Sequence, residues 1–205
     1  MKKLESSLLN MVLVLTGSAV VMGCILAWVN SLTAAPIQQQ KEQALAEGIK
    51  TVMCADDIVV AKTDTVRQND SRGKELTYIV YQTQDTQGND LGAAVQSTAN
   101  GFGGDLKVLV GFNPEGQITG YTLLEHAETP GLGAKADKWF QQGQKGDIIG
   151  KSPKEPLTVS KDGGQVDAIT ASTITSRAFL LAVNNAYKAY MAAPVDATSA
   201  ATQQN

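Results

Sequence analysis

The chain has 205 residues, 43% of them hydrophobic and 18% charged, with 17 basic and 20 acidic side chains and a net charge of −3. That length supports one ordinary domain with its own core and leaves some chain over for appendages. The acidic balance offers no basic face to a nucleic acid. Two cysteines, Cys24 and Cys54, cannot form a disulfide framework when one of them lies in an apolar span, so stability must come from a core.

The first element is Leu8 to Val29, LLNMVLVLTGSAVVMGCILAWV, which carries no charge. At about 1.5 Å rise per residue it covers a hydrocarbon core of about 30 Å, and so predicts a transmembrane helix within residues 1–30. Lys2 and Lys3 precede it, and the next basic residue is Lys41. That asymmetry predicts a cytoplasmic N-terminus with the rest of the chain outside. A cleaved signal peptide is the competing reading, but its apolar region runs only about 7 to 15 residues. The small-residue site Thr33-Ala34-Ala35 is also followed by Pro36. Cys24 is read as a lipid-facing apolar residue.

Residues 31–55 are predicted to form an amphipathic connecting helix, because Ile37, Leu45, Ile49 and Met53 recur at helical spacing among polar residues. Residues 56–191 change texture. Ile58–Val60, Thr77–Thr83, Leu91–Ser97, Leu106–Phe112 and Ile118–Leu124 are β-branched and aromatic runs separated by turn formers such as Gln87-Gly88-Asn89-Asp90. Asn113-Pro114-Glu115-Gly116 is read as the turn of a hairpin. A short helix near Lys135–Gln142 and a longer one over about Ile174–Met191 follow. The predicted fold class is α+β, a largely antiparallel sheet with packed helices. Residues 192–205 are small and polar, and are predicted to be a disordered tail.

Three clusters inside this domain could carry chemistry: Gly101-Phe102-Gly103-Gly104, the run Glu125 to Gly133 (EHAETPGLG), and Thr170 to Ser176, where five of seven side chains bear a hydroxyl. Gly131-Leu132-Gly133-Ala134-Lys135-Ala136 fits a dinucleotide-binding pattern, but the antiparallel context and Pro130 speak against it. His126 is the sole histidine. It cannot assemble a histidine metal site, and no nucleophile elbow accompanies it for a hydrolase; it is read as a loop residue in a hydrogen bond. One hydroxyl of the third cluster can cap a helix. Five hydroxyls around a helix start suit an anion such as a phosphate, and the absence of a P-loop lysine excludes that loop.

The run Asp167-Ala168-Ile169-Thr170-Ala171-Ser172-Thr173-Ile174-Thr175-Ser176 resembles the flavinylation motif of the FMN-binding domain family, in which a threonine is esterified to the FMN phosphate. That threonine corresponds to Thr173. The likeness extends to GFGGDLKVLVGF and EHAETPGLG, and with the single N-terminal span the chain is most similar to the G subunits of Rnf electron-transport complexes. Two positions depart from the motif: Ala171 stands for a glycine and Ser172 for an alanine. The resemblance implies covalent FMN at Thr173, with Asp167, Thr170, Ala171, Ser172 and Thr175 around its phosphate and Glu128, Thr129, Leu132 and Gly133 toward its ring. No separate catalytic residue or metal is implied. It further implies an electron-relaying member of a membrane-bound, ion-translocating ferredoxin:NAD oxidoreductase, partnered by the other subunits, by the lipid bilayer and by a flavin transferase. The location implied is the bacterial inner membrane, with the FMN domain extracytoplasmic. The C subunit of a sodium-pumping NADH:quinone oxidoreductase and a flavin-free anchored scaffold are the alternatives.

Overall fold

A computed structural model describes residues 8–55, 57–69 and 75–193. Lys2, Lys3 and nearly all of the predicted tail lie outside the described residues. The chain divides into two units, one ending at Ala44 and the other beginning at Leu45.

The first unit consists of the greater part of helix α1 (Leu8–Met53). Leu8, Leu15, Val20, Leu26 and Trp28 are all exposed along it, an arrangement that water penalises and lipid does not. Three of its hydroxyls bond back to the helix backbone. Ser18 donates to the Leu15 carbonyl at 2.9 Å, Ser31 to that of Trp28 at 2.8 Å, and Thr33 to that of Val29 at 2.9 Å, the local back-bonding open to hydroxyls within a helix. The helix runs through Pro36, whose missing N–H costs one intrahelical bond. One apolar N-terminal helix of this length fits a single membrane pass.

The second unit is built on five strands, β1 (Val59–Asn69), β2 (Glu75–Gln84), β3 (Asp90–Asn100), β4 (Asp105–Phe112) and β5 (Ile118–Glu125). They lie in sequence order, and every neighbouring pair is antiparallel. The predicted turns close two of the hairpins. Asp85 Oδ1 accepts from the backbone of Gln87 and Asn89 at 2.7 and 2.9 Å, and Asn113 Oδ1 accepts from Gln117 N at 2.8 Å. Strand β1 extends well beyond the apolar Ile58–Val60. As an edge strand it needs only backbone pairing, and its polar residues Thr63, Thr65 and Arg67 point to solvent.

The sheet is buried on both sides, and for that reason β4 reads as an almost unbroken apolar run. Tyr78, Val80, Val95, Val108, Val110 and Phe112 face one core. Tyr81, Ala94 and Leu109 face the other, against Ile49, Val52 and Met53 from the end of α1. Helix α3 (Thr173–Ala192) packs on the first face through Phe179, Ala182, Val183 and Ala186, a 3.6-period stripe of small and large residues. Phe179 stacks on Phe140 at 4.3 Å and meets Tyr121 edge-on at 4.8 Å. The helix expected near Lys135–Gln142 is shorter, a 3₁₀ turn at Gly133–Lys135 followed by α2 (Ala136–Trp139). The Tyr121 hydroxyl ends it by accepting from Phe140 N at 3.1 Å while donating to the Ala136 carbonyl at 2.7 Å. Burial pushes that phenol's pKa up.

Candidate cofactor-binding site

The three clusters singled out in the sequence meet at one side chain. Glu128 lies just beyond β5 and is 6% exposed. Its Oε1 accepts from the backbone N–H of Phe102 at 2.7 Å and of Gly103 at 3.2 Å, in the connection between β3 and β4. Its Oε2 accepts from Thr175 Oγ1 at 2.8 Å, in the first turn of α3. A carboxylate taken out of water needs such donors, and three of them make the buried charge tolerable. Gly101 and Gly133 make the approach possible, because a Cβ at either would collide with the Glu128 carboxylate. Glu128 therefore works as a pin between loops, and both of its oxygens are already engaged by the protein. His126 supports it, with Nδ1 accepting from Glu128 N at 3.3 Å.

After the pin the chain turns sharply. Leu132 N donates to the Thr129 carbonyl at 3.1 Å across Pro130-Gly131, with Gly131 at φ 78°, as a proline-glycine turn requires. The turn leaves Thr129 and Leu132 exposed above Gly133.

The hydroxyl run divides its labour. Ser176 Oγ donates to the Ser172 carbonyl at 2.9 Å and accepts from Ile169 N at 2.9 Å, locking the turn that enters α3. Thr175 holds Glu128. Ser172 is the N-cap residue, 8% exposed, yet its side chain makes no capping bond. Thr173 opens the helix, where backbone N–H groups lack intrahelical partners. Ala171, where the family motif has glycine, sits at φ 62°. That is the left-handed region, which a Cβ makes costly.

A cavity of about 390 Å³ opens among these groups, lined by Phe102, Glu128, Thr129, Leu132, Gly133 and residues 171–175. Its volume falls within the range of small-molecule and cofactor sites. Eight of the ten predicted site residues line it; Asp167 and Thr170 do not. Thr170 is exposed on the turn. Asp167 faces the other way, its Oδ1 accepting from Ser160 Oγ at 3.1 Å and its carbonyl from Trp139 Nε1 at 2.8 Å. Phe102 and Ile174 also line the cavity and were not among the predicted residues. Phe102 could have been suspected, since a large apolar residue between glycines has nothing local to pack on. A second neighbour was also missed: Lys161 Nζ donates to Thr173 Oγ1 at 3.1 Å. No periodicity connects it to the motif. A larger cavity of about 580 Å³ lies between residues 151–158 and 163–165 and touches none of the three clusters. Among the described residues no three His, Cys, Asp or Glu side chains gather as a metal site.

Residues 101–188, which carry most of this cavity's wall, match the FMN-binding domain family, and that match makes the unit a cofactor-binding domain. Over nearly its whole length the chain is similar to named relatives. It is 34% identical to the G subunit of the ion-translocating oxidoreductase complex of Vibrio cholerae, covering 85% of this chain and 86% of that one. It is 33% identical to the G subunit of the Na(+)-translocating ferredoxin:NAD(+) oxidoreductase complex of Acetobacterium woodii, covering 87% and 89%. The chain belongs to this family of G subunits. A looser likeness, 19% identical with a TM-score of 0.49 over 76% of this chain and 94% of the other, is to the crystal structure of the C subunit of Na(+)-translocating NADH-quinone reductase from Parabacteroides distasonis.

Proposed function

We propose that the chain is the flavin-carrying redox subunit of a membrane-bound, ion-translocating oxidoreductase complex, with FMN held as a phosphoester on Thr173. The carrying observation is the position of Thr173 at the start of α3, on the wall of the cavity. A phosphate at a helix N-terminus meets free N–H groups and the positive end of the dipole. Ser172, the N-cap residue, makes no side-chain capping bond, so its hydroxyl can donate to that phosphate. The apolar wall formed by Phe102, Leu132 and Ile174 suits the flavin ring, and Thr129 can offer it a hydrogen bond. A bound flavin supplies one- or two-electron exchange, while the protein sets its orientation and surroundings. A phosphoester keeps the cofactor on the chain where no free pool could replace it, and a flavin transferase would make that bond.

The partners on this reading are the other subunits of the complex and the lipid around α1. The compartment is the inner membrane, with the cytoplasmic side at Lys2 and Lys3 and the flavin on the opposite side. A periplasm-dependent reporter fused after Tyr190 should be active; an inactive fusion would reverse the orientation.

Mass spectrometry of the Thr173 peptide, with and without Thr173→Ala, tests the attachment. Wild-type peptide should carry the mass of FMN less water and the variant should not, although Ser172 is adjacent. An adduct that persists in Thr173→Ala would sink the assignment.

A further inference from the structure

Lys161 belongs to none of the three motifs, yet its ammonium touches the one hydroxyl on which the proposed attachment turns. We infer that Lys161 is the positioning cation of the attachment site, orienting Thr173 Oγ1 and then pairing with the charge of the finished phosphodiester. This rests on the reading of Thr173 given above.

The lysine is presented by a fixed piece of chain. It sits in the 3₁₀ turn Ser160–Asp162. Ser160 N donates to the Val166 carbonyl at 2.8 Å, and Ser160 Oγ to Asp167 Oδ1 at 3.1 Å. Asp167, which lines no part of the cavity, therefore acts on the site by holding the turn that carries Lys161. The neighbouring acid is neutralised. Asp162 accepts from Arg177 Nε at 2.8 Å and from Arg177 Nη2 at 2.6 Å, so it does not draw Lys161 away or repel an incoming anion. On the cavity side Ser172 makes no side-chain capping bond, so its hydroxyl does not compete with an anion for the N–H groups at the start of α3.

Attachment converts the O–H of Thr173 into an O–P bond. With a flavin dinucleotide as donor, Oγ1 attacks the flavin-side phosphorus and the pyrophosphate P–O bond breaks. A nucleoside monophosphate leaves, and the Oγ1 proton passes to solvent; nothing is oxidised or reduced. Lys161 donates into a lone pair of Oγ1, which leaves the hydroxyl proton free to depart and favours the negative oxygen. The product keeps one negative charge on its non-bridging oxygens, within reach of the same ammonium. Lys161 is exposed, so its effect is screened by salt.

The test uses the full chain in membranes with a flavin transferase and flavin adenine dinucleotide, reading the mass of the Thr173 peptide against time. Lys161→Met should gain the adduct roughly tenfold more slowly than wild type, a change typical of losing one charge-assisted contact, and Lys161→Arg should stay near wild type. Raising salt should slow wild type toward the Lys161→Met rate and leave that variant unchanged. The unfolding midpoint of the unmodified chains should not differ, since the side chain is exposed. Equal rates in wild type and Lys161→Met, or an equally slow Lys161→Arg, would overturn the role of the cation while leaving attachment at Thr173 intact. No adduct on the wild-type chain would sink both readings together.

Discussion

Thr175 Oγ1 lies 2.8 Å from Glu128 Oε2, with both side chains buried. This bond joins the start of α3 to the loop after β5, and through Oε1 to the backbone at Phe102. Thr175→Val keeps the shape and removes the donor, leaving a buried carboxylate oxygen short of a partner. The expected loss is about 1–3 kcal/mol. Glu128→Gln should cost less on top of Thr175→Val than alone, because the two share the contact. Denaturant midpoints of the two single variants and the double variant in detergent check this. Strict additivity would mean that the bond contributes nothing.

Ala171 holds a backbone conformation that its Cβ opposes, φ 62°. Ala171→Gly removes a strain of about 1–2 kcal/mol and gives back about 0.4–1 kcal/mol through the freer unfolded chain. A net gain of about 0–1.6 kcal/mol is expected from these terms. Ala171→Val, β-branched, should lose stability. A denaturation series over the three residues should rank Gly above Ala above Val; Val equal to Ala would show that the turn relaxes.

The strands were legible because both faces of the sheet are covered, so LKVLVGF and TYIVYQT stand out by composition alone. Strand β1 was legible only at its apolar end, since an edge strand is specified by pairing and not by burial. At the site, the resemblance to the family motif pointed to Thr173, and the likeness of EHAETPGLG to Thr129 and Leu132. The part played by Glu128 was not legible. Its donors come from residues 102, 103 and 175, and a carboxylate in a loop looks the same whether it faces a ligand or pins two segments. Lys161 escaped for a related reason: its position depends on the turn closed by Val159 and Val166, and bridge pairing between short segments leaves no period in the sequence.

Arg177 makes two hydrogen bonds to Asp162 and holds that carboxyl below its ordinary value of 3.8. A lowered folded-state pKa contributes stability that is complete above the unfolded value. That contribution falls away as pH drops below about 3.8 toward the folded pKa, because the unfolded chain takes up the proton first. The stability difference between wild type and Arg177→Ala should therefore be constant from neutral pH to about 5 and shrink below about 4. Both side chains are largely exposed, so salt should reduce the difference as well. Unfolding midpoints over a pH series test this, and a difference that widened on acidification would be the wrong sign.

Thr129 is exposed on the cavity wall, with its backbone carbonyl committed to the turn. If its hydroxyl bonds the flavin, losing about 1 kcal/mol from one oxidation state alone shifts a one-electron potential by about 40 mV. Redox titration of wild type and Thr129→Val, both carrying flavin, should show that shift with no change in the adduct at Thr173. Equal potentials would leave Thr129 as a turn residue.

Every strand of the sheet pairs with the one before it in the chain, so each hairpin can close over a short loop and the sheet can zip up in order, which is the rapid kind of folding. The cavity is assembled differently. It needs residue 102, residues 128–133 and residues 171–175 to arrive together, across much longer stretches of chain. A nascent or half-folded molecule with its hairpins formed would still lack the pin and the helix start. On the proposed attachment, an enzyme that reads the finished corner around Thr173 would load cofactor only onto molecules in which these distant segments have already met.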